Sequence, residues 1–177
     1  MKNKTEDWKK ISEKISKTTD KIGTPIEDGI LQTVIALNVL GYKTIMSCEG
    51  HLGKSGRLLK KGLPFPWVTV EYTKNETDLS ELTKNRRKLL QRKFLKQCQP
   101  VMIGIATLID EFYKGRKKSP LYKLIVIPHH QGELRIQSLA GYFIQSQSKR
   151  ERLKSYKMAC IEMKMFTAFL KETFFSK

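Results

Sequence analysis

Acidic side chains are scarce in this 177-residue chain: 17 Asp and Glu stand against 34 Lys and Arg, a formal net charge of +17. Cysteine is scarce too. Cys48, Cys98 and Cys160 are far apart and odd in number, which argues against a secreted disulfide framework and makes reduced thiols the expectation. Histidine occurs only as His51, His129 and His130, so any imidazole chemistry must draw on these three. No run of eighteen apolar residues is present, which excludes a membrane-spanning helix as the sequence reads, and the Lys-rich N-terminus has no apolar segment behind it to make a secretory signal. A cytoplasmic protein is expected. No Walker pattern, no G-x-G-x-x-G, no internal repeat and no low-complexity tract occurs.

What is present is enough for one domain, 1–177, with 1–20 as a helical arm docked on its outside. In that arm Trp8, Ile11 and Ile15 recur at helical spacing. Thr24-Pro25-Ile26-Glu27 reads as a helix start, with Thr at the N-cap, Pro at the first position and Glu closing a capping box. The helix runs to Leu40 and stops at Gly41, with Ile26, Ile30, Val34 and Leu37 on its buried face. Glu27 and Asp28 are explained by the helix dipole, with Asp28 the one that would face a site if either does. Strands are expected at 43–47, 67–73, 124–127 and 134–137, the first two antiparallel and the third buried on both faces. Helices follow at 78–97 and 101–113, divided at Pro100, and at 149–174. The fold class is therefore α/β (α+β): a small mixed sheet with packed helices, including a long C-terminal one.

The excess of cations makes nucleic acid the first partner to consider, and a merely solvated basic surface the alternative. Arg86, Arg87, Arg92 and Lys93 cluster on the 78–97 helix, as phosphate contact requires.

The densest chemistry lies in Ser47-Cys48-Glu49-Gly50-His51, just past the end of a strand that follows a buried helix, a common place for sites in α/β proteins. Three readings stand side by side. Cys48 and His51 form a C-x-x-H pair of zinc ligands, with His129, His130 or Glu49 completing the shell. Alternatively Cys48 is a nucleophile or His51 an acid/base, with Glu49 orienting the imidazole and Gly50 allowing the loop to turn back. In the third reading Ser47, Gly50 and Trp67, with Lys54 and Arg57 of the glycine-rich loop at 50–64, hold a cofactor or nucleotide, and Cys48 is a small packing residue.

The run Asp20 to His51, with its D-x-x-G-x-P-I lead, Leu37-Asn38, Thr44 and Ser47-Cys48-Glu49-Gly50-His51, followed by Pro66-Trp67-Val68, resembles a family of bacterial proteins sharing an SCEGH motif, a PWV strand and a similar C-terminal helix. More distantly, Asp28, Asn38, Thr44, Ser47, Cys48, Gly50 and Trp67 match the pattern of the tRNA wybutosine-synthesising methyltransferase family, while Glu49 and His51 replace that family's Ser and Arg. This resemblance implies an α/β fold with an S-adenosylmethionine or RNA site, and makes RNA the preferred nucleic-acid partner.

Overall fold

A computed structural model describes residues 3–20, 22–53, 56–59, 63–72, 83–129 and 132–176, and within them the side chains of Arg87 and Gln91 are not described. The chain runs α1 (Lys4–Ser16), α2 (Asp28–Val39), β1 (Thr44–Cys48), β2 (Trp67–Glu71), α3 (Lys84–Tyr113), β3 (Leu124–Pro128), β4 (Glu133–Ser138) and α4 (Lys149–Ser176), with short 3-10 segments at Pro120–Tyr122 and Leu139–Ser146. This is the α+β architecture expected, including the long C-terminal helix. The sheet is not mixed, however: its order is β1-β2-β4-β3, and every pairing is antiparallel.

Alternation decides which face each strand buries. Val68 and Val70 lie directly opposite Ile136 and Leu134, and all four are fully buried against the helices. Ile105, Leu108, Ile109 and Phe112 of α3, and Met163, Phe166 and Leu170 of α4, complete that core. The opposite face carries Trp67, Thr69, Arg135 and Gln137. β3 is an edge strand and only Leu124 in it is buried, because Ile125 and Ile127 fall on the polar face; the expectation of a strand buried on both faces is corrected accordingly.

α2 is the central helix. Ile30, Thr33, Val34, Ile35, Ala36 and Leu37 are all buried, and Asn38 bridges its end to the sheet by donating to the Thr44 hydroxyl at 2.6 Å. α1 buries no residue fully, and its Trp8 packs against Phe174 and Phe175 of α4 at centroid distances of 5.8 and 5.5 Å.

Two local expectations give way. α3 continues through Pro100 for 30 residues. Proline removes one N–H and crowds the carbonyl four residues back, and here both Pro100 and Lys96 are exposed, so water can serve the Lys96 carbonyl. The capping box at Thr24 to Glu27 does not form either. α2 begins at Asp28 with Glu27 as an extended N-cap whose side chain caps nothing in its own helix, while Pro25 pairs with Thr19 in an isolated bridge. No helix among the described residues is long and apolar enough to cross a membrane.

Candidate functional site

β1 ends at Cys48, and the chain turns sharply at Gly50, whose φ is +89°. A Cβ there would lie 2.7 Å from the Phe65 carbonyl carbon, so the turn needs glycine both for its conformation and for its closeness to the start of β2. The turn is pinned by the His51 N–H donating to the Leu63 carbonyl at 2.9 Å and by the Tyr156 hydroxyl donating to the Gly50 carbonyl at 3.3 Å. The imidazole of His51 is thereby held beside the start of α2.

There it meets Glu27. His51 Nε2 lies 2.6 Å from Glu27 Oε1, and the other carboxylate oxygen accepts the Glu49 N–H at 2.6 Å. One ligating atom each from Glu27, Cys48 and His51 lies within 4.8 Å of the others. Cys48 is buried, and that burial, reinforced by the negative charge of Glu27, pushes its thiol above the ordinary value, against a weak bond from the Gly50 N–H at 3.4 Å. Without a cation beside it, the sulfur therefore stays protonated at neutral pH.

The Glu49 carboxylate points the other way. Its Oε2 accepts the Gly29 N–H at 2.9 Å, capping the first turn of α2 from outside the helix. It lines a cavity of about 440 Å³ with Tyr156, Cys160 and Lys164. Burial pushes the Tyr156 phenol up to about 12, with Cys160, Glu49 and Cys48 adding to it. So Glu27, not Glu49, is bonded to the His51 imidazole.

A cleft of about 370 Å³ opens along β1, lined by Ser47, Cys48, Glu27, Pro25, Ile45 and Trp67 among others. Trp67 sits directly opposite Cys48 in the β1–β2 register. Ser47, Cys48 and Trp67 share this cleft with Glu27, while Gly50 and His51 are not among its lining residues and His51 joins Cys48 through Glu27; Asp28 is exposed at the start of α2.

Other expected members are elsewhere. His129 lies against Arg135 on the polar face of the sheet and is no part of the Glu27–Cys48–His51 set, so it does not complete that shell. His130, Lys54 and the side chain of Arg87 lie outside the described residues. The side chain of Arg57 is exposed and lines none of the cavities above. In the described part of the glycine-rich loop, the Gly53 N–H donates to the Arg57 carbonyl at 3.0 Å and the Gly56 N–H to the Gly53 carbonyl at 2.8 Å, so these two glycine N–H groups are engaged within the loop itself. Arg86, Arg92 and Lys93 do project into solvent from the first half of α3.

Glu27 is the site residue that sequence reasoning missed. The capping pattern Thr24-Pro25-Ile26-Glu27 and the helix dipole each accounted for it locally, so the sequence carried no signal of its tertiary partners. Comparison with protein-family models, with curated proteins and with solved structures gives no match.

Proposed function

We propose that this chain is a nucleic-acid-associated enzyme or ligand-binding protein centred on a zinc-type cation site formed by Glu27, Cys48 and His51. The observation that carries the reading is the convergence of carboxylate, thiol and imidazole from two separate segments within 4.8 Å, at the wall of a cleft. Zinc accepts all three donor types, and three protein ligands with a fourth position left over is the pattern of a catalytic rather than a structural site. A cation there would supply Lewis-acid polarisation or an activated water. The chain's own part is orientation: the Glu49 N–H holds Glu27, and the Gly50 turn holds His51.

The fit requires a small opening. Bonds near 2.0–2.1 Å in a tetrahedron set ligand atoms about 3.3 Å apart. The Glu27–His51 contact of 2.6 Å is a hydrogen-bond length. That contact favours a second reading, in which Glu27 and His51 work as a metal-free acid–base pair, the carboxylate orienting the ring.

The exposed cations of α3 and the net charge of +17 support nucleic acid as the partner. The resemblance to the wybutosine-synthesising family favours RNA, with S-adenosylmethionine as an occupant to try in the cleft. Elemental analysis of the untagged protein, beside Glu27→Gln and His51→Ala, tests the centre. The expected result is near-stoichiometric zinc that both variants lose. Metal-free protein whose melting temperature ignores added zinc would eliminate the cation and leave the acid–base pair. A salt titration of RNA affinity tests the surface: affinity indifferent to salt would remove phosphate contact by α3.

A further inference from the structure

The polar face of the sheet holds a second cavity, of about 270 Å³, that the Glu27–Cys48–His51 cluster does not use. Trp67, Arg135, Gln137, His129, Ile127 and Tyr142 contribute to its lining. Strand register assembles it: Trp67 lies opposite Gln137, and Arg135 stands two residues before Gln137 on the same face of β4. The Arg135 guanidinium carbon lies 4.3 Å from the centre of the Trp67 ring, and its Nη2 meets Nε2 of His129.

A guanidinium held over an indole, with one of its nitrogens meeting His129, presents a planar cation and an aromatic ring together in the lining of the cavity. Planar faces of Arg and of aromatic side chains are what unpaired bases stack on. Gln137 adds an amide, which can both donate to and accept from a base edge. Tyr142 is 55% exposed, and its phenol is close enough to Arg135 to interact with it electrostatically. The volume lies just under the about 300–1,000 Å³ usual for sites that take a drug-sized ligand, which suits one ring system rather than a large cofactor. The net charge of +17 draws polyanions to the surface around it.

We propose that this cavity takes one unpaired nucleobase, stacked on the Trp67–Arg135 pair beside Tyr142, from a single-stranded nucleic acid or a free nucleotide. The inference rests on the nucleic-acid reading above for its ligand, but not on the cation site. Trp67 lines both this cavity and the cleft of Cys48, so the two share that residue.

The chain has two tryptophans, and Trp8 is packed between α1 and α4, so a Trp8→Phe background leaves Trp67 as the only tryptophan. In that background, fluorescence is titrated with a short single-stranded RNA, the same strand made abasic, and nucleoside 5′-monophosphates. Saturable quenching by the intact strand is expected, weakened about tenfold or more in the abasic strand, in Tyr142→Ala, and in Arg135→Lys, which keeps the charge and loses the plane. Quenching by monophosphates with the same sensitivity to Tyr142→Ala would support the pocket and make free nucleotide the source. Salt-sensitive strand binding without quenching, or equal affinity for the abasic strand, would overturn the pocket while leaving the nucleic-acid reading standing. No binding by any probe would overturn both. Repeating the titration in Glu27→Gln separates the pocket from the cluster, since quenching retained there shows that base binding does not need the cation site.

Discussion

Glu27 and Glu49 hold each other in place across the junction of β1 and α2. The Glu49 N–H donates to the Glu27 carboxylate at 2.6 Å, and the Glu49 carboxylate accepts the Gly29 N–H at 2.9 Å, two residues past Glu27. It is a capping box built from two segments instead of one: each acid satisfies a backbone donor that the other segment leaves over. Because one of these acids also meets His51, the start of α2 and the candidate site are a single hydrogen-bonded unit.

Gly29 is what lets them meet. A Cβ there would lie 2.5 Å from Glu49 Oε2, so Gly29→Ala must expel the carboxylate that caps the helix. Alanine at an exposed helical position ordinarily adds up to about 1 kcal/mol, whereas loss of a cap costs about 1 kcal/mol, with the steric conflict on top. Urea denaturation should show Gly29→Ala destabilising the wild-type chain but stabilising a Glu49→Ala chain. The same sign in both backgrounds would mean that Glu49 does not cap α2.

The capping box that does form within one segment is at the start of α4. Glu151 N–H donates to the Ser148 hydroxyl at 3.3 Å, and Ser148 N–H donates to the Glu151 carboxylate at 2.7 Å. These bonds to Ser148 hold the Glu151 carboxyl below its ordinary value of 4.5. A depressed carboxyl stabilises the fold fully above its unfolded value, and that contribution fades as pH falls through the lower folded value. The melting temperature of Glu151→Gln should therefore lie below that of the parent at neutral pH, with the gap closing as pH drops beneath 4.5. A gap that widens in acid would contradict the assignment.

Pro100 invites the opposite kind of test, a substitution that stabilises. Proline inside a helix costs about 3 kcal/mol relative to alanine, part of it returned because proline also restricts the unfolded chain. Pro100→Ala should thus raise stability by about 1–2 kcal/mol in urea denaturation. A loss instead would show that α3 needs a bend at Pro100 to seat both Phe94 and Ile105, which are buried on either side of it.

Much of this fold was legible because its burial follows simple periods. The alternation Val68, Val70 and Leu134, Ile136 read directly as sheet, and the apolar sequence of α2 read directly as a buried helix. Cys48 and His51 were legible as a pair because one five-residue stretch contains both. Glu27 was not, since Thr24-Pro25-Ile26-Glu27 satisfies a local capping pattern that explains the acid without any tertiary partner. The competing bonds come from Glu49 and His51, more than twenty residues later, and no local pattern reports them. The same limit hid Arg135, whose partner Trp67 is brought beside it only by strand register. Ser148-x-x-Glu151 carried a capping signal at the start of the expected 149–174 helix that the apolar spacing alone does not report.

Glu162 is the buried charge on which the far end of the molecule depends. It is wholly inaccessible, yet it lies 2.6 Å from Lys118 Nζ and 3.4 Å from Arg116 Nη2, and it accepts the Tyr113 hydroxyl at 3.1 Å. The Tyr113 oxygen in turn accepts the Leu124 N–H at 2.9 Å, so one chain of bonds joins α4, the end of α3 and the first residue of β3. Removing the acid leaves two cations and a phenol facing a buried apolar gap, a change worth about 2–4 kcal/mol. Removing the phenol oxygen leaves one buried N–H without its acceptor, worth about 1–2 kcal/mol. Lys118 is one of three partners and keeps some access to water, so its loss should cost least, under about 1 kcal/mol. Denaturation midpoints should therefore fall in the order Glu162→Leu, then Tyr113→Phe, then Lys118→Met, with Glu162→Leu the most damaging. If Glu162→Leu proved neutral while Lys118→Met did not, the acid would be a tolerated burial rather than the hub, because well-packed apolar side chains can replace a buried ion pair without loss.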